Sequence, residues 1–152
     1  MPVPTYTRSI LALALMMAIF SQAARMALVV MEPELSSSAL AEALRHSPPG
    51  EMIVGDEYYS FSSVFFYGQP RGYLLNRVNN LEYGSNAPGA PQVFLTPQEF
   101  QDMWQSSKRF YLLAAKPAVP RLSGMVGSDR LYTVKESGGK FLFSNQPVDG
   151  GN

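Results

Sequence analysis

The chain has no cysteine among its 152 residues and a single histidine, His46. The first absence excludes a disulfide framework and thiolate metal sites, and it is compatible with an oxidising compartment. The second excludes a His-based catalytic triad or a multi-histidine metal centre within one chain. Acids are missing before Glu32; all twelve lie at or beyond it, while Arg8 and Arg25 lie before it. The formal charge of zero therefore hides a split, with ten cations against twelve acids in the later part. Those cations are scattered, so no nucleic-acid surface is expected. Internal repeats and low-complexity tracts are absent, and so is a glycine-rich phosphate loop: Gly138-Gly139 lies in a hairpin-like context rather than before a helix.

What the chain does have is a long apolar run. Residues 9–30 read SILALALMMAIFSQAARMALVV, without acid, proline or glycine and with one charge, Arg25. As a helix this run extends ~33 Å, close to the hydrocarbon thickness of a bilayer. Three readings are open. In a membrane span, Arg25 sits near one end and can snorkel to the headgroups. In a signal peptide, Arg8 is the charged n-region and Ser21-Gln22-Ala23 the small-x-small cleavage site. In the third, the run is a buried soluble helix. The first two agree that the remainder lies outside the cytoplasm, with the bilayer as a partner. The expected organisation is residues 1–31 as span or signal, 32–147 as an extracytoplasmic α/β domain and 148–152 as a flexible tail.

Glu32-Pro33-Glu34 predicts the end of the apolar helix. Ser36-Ser37-Ser38 offers N-cap hydroxyls to a short helix over residues 39–45, with His46 at its end as a surface histidine. Met52-Ile53-Val54-Gly55 reads as a buried parallel strand, since it is apolar without alternation. Tyr58, Phe61, Val64 and Phe65 share a helical face that Gly68 closes. A second strand is expected at 72–75, an edge strand at 81–83 and a third core strand at 93–95. Thr96-Pro97-Gln98-Glu99 is a capping box with proline in the first turn; its helix runs to about Ser106 with Phe100, Met103 and Trp104 inward. Residues 109–114 form the fourth strand, and 117–127 a loop with room for a turn of helix. Runs 131–134 and 140–143 pair as a hairpin around Gly138-Gly139. The fold class is α/β: an N-terminal transmembrane helix, then a small layered domain with a partly parallel sheet and a C-terminal β-hairpin.

In open α/β sheets ligands sit beyond the carboxyl ends of parallel strands. That rule singles out Asp56, Glu57 and Tyr58 after the first strand and Lys116 after the fourth. Tyr83 and Asn86 add an aromatic face and an amide, chemistry that suits a saccharide, although loops use the same residues for turns. No set of acid, base and nucleophile converges, so no catalytic residue, metal or cofactor is assigned.

The order of local signatures goes further. A Ser- and Ala-rich helix after the span, GDEYYSFSSVFFYGQP, NNLEYGSNAPGAPQVFL, a helix with central Trp104, RFYLL and ESGGKFLFSNQP succeed one another. Across residues 9–147 this resembles the C-terminal extracytoplasmic domain, with the last span, of bacterial family 39 glycosyltransferases. That group is related to protein O-mannosyltransferases and the lipid A aminoarabinose transferase. The resemblance implies sugar transfer from a polyprenyl-phosphate donor at the outer face of the bacterial cytoplasmic membrane. In such enzymes the catalytic acid lies in a loop between earlier spans, next to an Asp-Glu pair. Asp56-Glu57 follows a strand-like run instead, which reads as strand-end carboxylates. The expectation is a membrane-tethered fragment, non-catalytic on its own, from a truncated or split gene, with the multi-span part of a transferase and a lipid-linked sugar as partners. The alternative is a self-standing secreted or anchored binding module.

Overall fold

The computed structural model describes residues 5–55, 58–68, 71–75 and 87–148. They fall into two compact units, Met1–Glu32 and Pro33–Asn152. Helix α1, Thr5–Leu35, accounts for nearly all of the first. Tyr6–Leu35 is long and apolar enough to cross a membrane. The helix also runs through Glu32-Pro33-Glu34, where an end is expected. Pro33 removes one helical N–H, and the helix tolerates that loss in its last turn.

The second unit is a five-stranded mixed sheet with helices on both faces. Its strands are β1 (Glu51–Val54), β2 (Gly72–Leu74), β3 (Phe110–Ala115), β4 (Tyr132–Ser137) and β5 (Lys140–Ser144), in spatial order β2-β1-β3-β5-β4. β1 is parallel to both β2 and β3; β5 runs antiparallel to β3 and β4. The helices are α2 (Ser38–Arg45), α3 (Ser62–Gly68), α4 (Pro97–Gln105) and α5 (Val119–Val126). From β1 the chain crosses to β2 on one side, then returns past β1 to β3. Right-handed crossovers in opposite directions need helices on opposite faces. The core divides accordingly. Met52, Val54, Tyr111, Leu113 and Leu142 meet Leu40 of α2 and Val64 of α3. Ile53, Leu112, Ala114 and Phe143 meet Phe100 and Trp104 of α4 and Leu122 and Val126 of α5.

Several local expectations hold. Thr96 caps α4 through a reciprocal box: its Oγ1 accepts from Glu99 N–H at 3.2 Å, and Glu99 Oε2 accepts from Thr96 N–H at 2.7 Å. The hairpin turns on Gly138 and Gly139, both at positive φ (53° and 67°), the pattern of a type I′ connection. β4 carries a register shift between Thr133 and Lys135, and its exposed charges blunt the sheet edge.

Three further expectations need correction. Residues 93–95 are not a strand; Phe94 makes a single parallel bridge to Leu74, flanked by hydrogen bonds from Leu74 N–H to Val93 and from Leu95 N–H to Leu74. Residues 117–127 are not a loop. A 3-10 turn (Lys116–Ala118) leads into α5, whose proline falls in the first turn, where its missing N–H costs nothing, and whose Gly127 stop has φ 88°. Ser37 precedes α2 without capping it, because its hydroxyl donates to Ser60 C=O at 2.5 Å. The expected edge strand at 81–83 and the tail residues 149–152 lie outside the described residues.

At the start of the second unit, Lys140 is buried and donates from Nζ to the carbonyls of Glu34 (2.7 Å) and Ser36 (3.0 Å). Beside it Gly138 lies so close to the Pro33 carbonyl that a Cβ would collide with it, whereas Gly139 faces open space. Gly139→Ala should therefore lose only the left-handed backbone penalty, about 1–2 kcal/mol. Gly138→Ala should lose clearly more, since the turn must also shift away from Pro33. Urea unfolding of the full chain in detergent, comparing the two variants, checks the order.

Candidate functional site

The parallel strands place one chemically distinctive edge. β1 leads towards β2 and β3 towards β5, in opposite directions, so their carboxyl ends form the crevice where open α/β sheets take ligands. Gly55 closes β1 there: its N–H donates to Leu113 C=O at 2.9 Å and its own C=O accepts from Arg121 Nη2 at 2.7 Å. A Cβ at Gly55 would stand 2.8 Å from Leu122 Cδ1 and 3.2 Å from Leu112 Cδ1, so a larger residue there must push these side chains aside. Arg121 is thus a cation held at the end of β1. Sequence reasoning passed over it, because the run VPRLSGMV reads as a loop; the only cue was a lone cation between proline and glycine.

Of the six residues singled out, the described structure locates two. Tyr58 opens a 3-10 turn (Tyr58–Phe61) and is half-buried, its ring 5.0 Å from that of Tyr59 and 5.6 Å edge-on to Phe65. Lys116 is exposed at the end of β3, and its backbone N–H donates to Gly139 C=O at 2.8 Å. Tyr58 packs with the α2/α3 face while Lys116 leads into α5 on the other, so these two do not converge. Asp56, Glu57, Tyr83 and Asn86 lie outside the described residues. Among the described residues no group of three or more His, Asp or Glu is placed to hold a metal ion.

At the opposite edge stands a dense polar cluster built from Ser144-Asn145-Gln146-Pro147. Asn145 Oδ1 accepts from Phe110 N–H at 2.8 Å, while Nδ2 donates to Lys108 C=O (2.8 Å) and Trp104 C=O (3.1 Å). Gln146 Nε2 donates to Ser107 C=O at 2.8 Å. Arg109 Nη1 reaches Ser144 Oγ (3.3 Å) and the carbonyls of Pro147 (3.2 Å) and Gln146 (3.4 Å). Every partner is backbone or a neighbouring hydroxyl, so the cluster braces the α4–β3 connection. It is a lock on the fold and presents no converging reactive groups.

Two more polar residues have settled roles. His46 is exposed, with Nδ1 2.9 Å from Glu42 C=O and 3.5 Å from Glu42 Oε1, a helix-end histidine as expected. The Tyr73 phenol is pushed above its ordinary value of 10.0. Burial is the main cause; the Glu51 carboxylate adds charge and a hydrogen bond, and Arg71 pulls weakly the other way. Shallow grooves complete the surface. One of about 380 Å³ lies between α2 and Tyr67, and one of about 210 Å³ lies around Pro48, Pro49 and Tyr111.

No family model and no curated protein matches the chain at a significant level. Solved structures do. The fold is shared with ArnT. Against ArnT from Cupriavidus metallidurans in the apo state the TM-score is 0.59 at 14% identity, covering 74% of this chain and 20% of that one. Against ArnT from the same organism bound to undecaprenyl phosphate it is 0.57 at 16% identity, covering 77% and 21%. This chain therefore spans about a fifth of the length of those proteins. ArnT is the lipid A aminoarabinose transferase, so the likeness falls on the group of enzymes that the sequence signatures resemble. At this level of identity it is a likeness of fold.

Two measurements test the roles assigned to these side chains. Asn145→Asp keeps the acceptor for Phe110 N–H but sets a carboxylate against two carbonyls, and should destabilise the full chain by about 1–3 kcal/mol in urea. Tyr73 keeps its proton in the folded chain at pH values where the unfolded chain has lost it. The stability present below pH 10.0 is then lost as pH rises past the folded-state value. Tyr73→Phe should flatten that alkaline fall in the urea midpoint and leave the midpoint's neutral-pH slope unchanged.

Proposed function

We propose that this chain is the membrane-tethered C-terminal part of a polyprenyl-phosphate-sugar glycosyltransferase, its folded domain lying on the periplasmic side and working with a multi-span membrane part. The observation that carries the reading is a helix able to span a bilayer followed within two residues by a domain with the fold of ArnT. One of the ArnT structures is of the protein bound to undecaprenyl phosphate, a lipid carrier of the class the sequence resemblance implies. In this reading the domain positions donor or acceptor, and the chemistry belongs to the multi-span part. Asp56, Glu57, Tyr83 and Asn86 remain the proposed rim contacts to a saccharide or lipid headgroup. Nothing on the described surface specifically favours a self-standing binding module.

Sugar transfer from a polyprenyl-phosphate donor, measured in membranes, tests the proposal. Membranes holding this chain alone should show none, and membranes holding it with the multi-span part should show transfer. Turnover by the chain alone overturns the non-catalytic assignment. Equal turnover by the multi-span part with and without this chain overturns the accessory role.

A further inference from the structure

Among the described residues, the most exposed aromatic side chains of the second unit lie on the segment 59–67. Phe66 is 76% exposed, Tyr67 58% and Tyr59 52%, against 40% for Tyr132, the one other exposed aromatic among the described residues there. Phe66 and Tyr67 stack edge to face, with ring centroids 5.0 Å apart. Residues three and four apart share a helix face, so Phe66 and Tyr67 project from the same side of α3 as Ser63. That side is tied to the segment that follows α1. Ser63 Oγ lies 3.4 Å from Ser36 Oγ, and Ser60 C=O accepts from Ser37 Oγ at 2.5 Å. Tyr67 also lines a groove with Ser38 and Ala39, the residues that come next.

Covalent connectivity then fixes the neighbourhood. Ser36 and Ser37 follow the last apolar residues of α1 by so few positions that they stand on the order of 10 Å past the hydrocarbon, at the depth of the headgroup layer. Ser60 and Ser63, which hold Ser37 and Ser36, lie on the same segment as the aromatic side chains. Tyrosine settles at a membrane–water interface with its ring in the acyl boundary and its hydroxyl in the headgroups, and an exposed phenylalanine beside it favours the acyl side of that boundary. We propose that Tyr59, Phe66 and Tyr67 form a second membrane contact, inserting into the lipid interface next to the span and holding the domain down on the bilayer. This inference rests on the reading of α1 as a membrane span.

The absence of cysteine makes the test clean, because each introduced thiol is unique. The full chain is reconstituted in phosphatidylethanolamine–phosphatidylglycerol vesicles as the single variants Phe66→Cys, Tyr67→Cys, Lys135→Cys and Ile19→Cys, each nitroxide-labelled. Relaxation by oxygen, which concentrates in lipid, is compared with relaxation by a water-soluble nickel chelate. The labelled positions are all exposed, and circular dichroism checks that each variant is folded. The expected result is an oxygen-to-nickel ratio several-fold higher at 66 and 67 than at the β4 control 135. An aqueous signal at 66 and 67 with a bilayer signal at 19 overturns the lipid contact and leaves the span intact. Shielding from both reagents at 66 and 67 overturns it in favour of a protein covering the patch. An aqueous signal at 19 removes the span, and this inference with it.

Discussion

Strand β3 is the constraint on which the domain depends. Phe110, Tyr111, Leu112, Leu113 and Ala114 are buried in succession, which requires apolar partners on both faces and hydrogen-bonded strands on both edges. One edge takes β1 in parallel and the other β5 in antiparallel register. The two faces take α2 with α3 and α4 with α5. Both ends are fastened: Phe110 N–H is held by Asn145, and the N–H of Lys116 by Gly139. Each fastening comes from the hairpin or the residues after it, so the C-terminal stretch closes the sheet that earlier elements build.

The same hairpin holds the domain's first residues. Lys140 is a buried cation whose donors are spent on the carbonyls of Glu34 and Ser36, an arrangement that satisfies its charge where helical carbonyls lack partners. Ser36 and Ser37 in turn reach Ser63 and Ser60 on the α3 segment. A tether that would otherwise be a flexible linker is thereby part of the folded unit.

Much of the fold was legible because local signals agreed with the final packing. The capping box at Thr96, the apolar run at Met52 and the paired glycines of the hairpin each specify their own geometry. Where the reading failed, the decisive information was non-local. Helix α5 hides behind two prolines and two glycines that read as loop, and only the burial of Leu122 and Val126 against α4 makes a helix of it. Ser37 has the right chemistry for a cap, but Ser60 lies closer to its hydroxyl than the helix amides do. Phe94 looks like core strand yet makes one bridge beside a three-residue β2. The candidate site was less legible. The strand-end rule pointed to the carboxyl edge of the parallel strands, but it could not find Arg121, which reaches Gly55 from a helix 66 residues later. The SNQP ending, read as a family signature, owes its chemistry to backbone carbonyls that no sequence pattern displays.

The account stands on one claim of place: a greasy helix holds this fold at the outer side of a cell membrane. With a single thiol at Lys135→Cys, on the exposed hairpin edge, a membrane-impermeant maleimide applied to spheroplasts reads that placement directly. Labelling of intact spheroplasts to the same extent as lysed ones is the predicted result. Labelling that appears only after lysis puts the domain in the cytosol and contradicts the account.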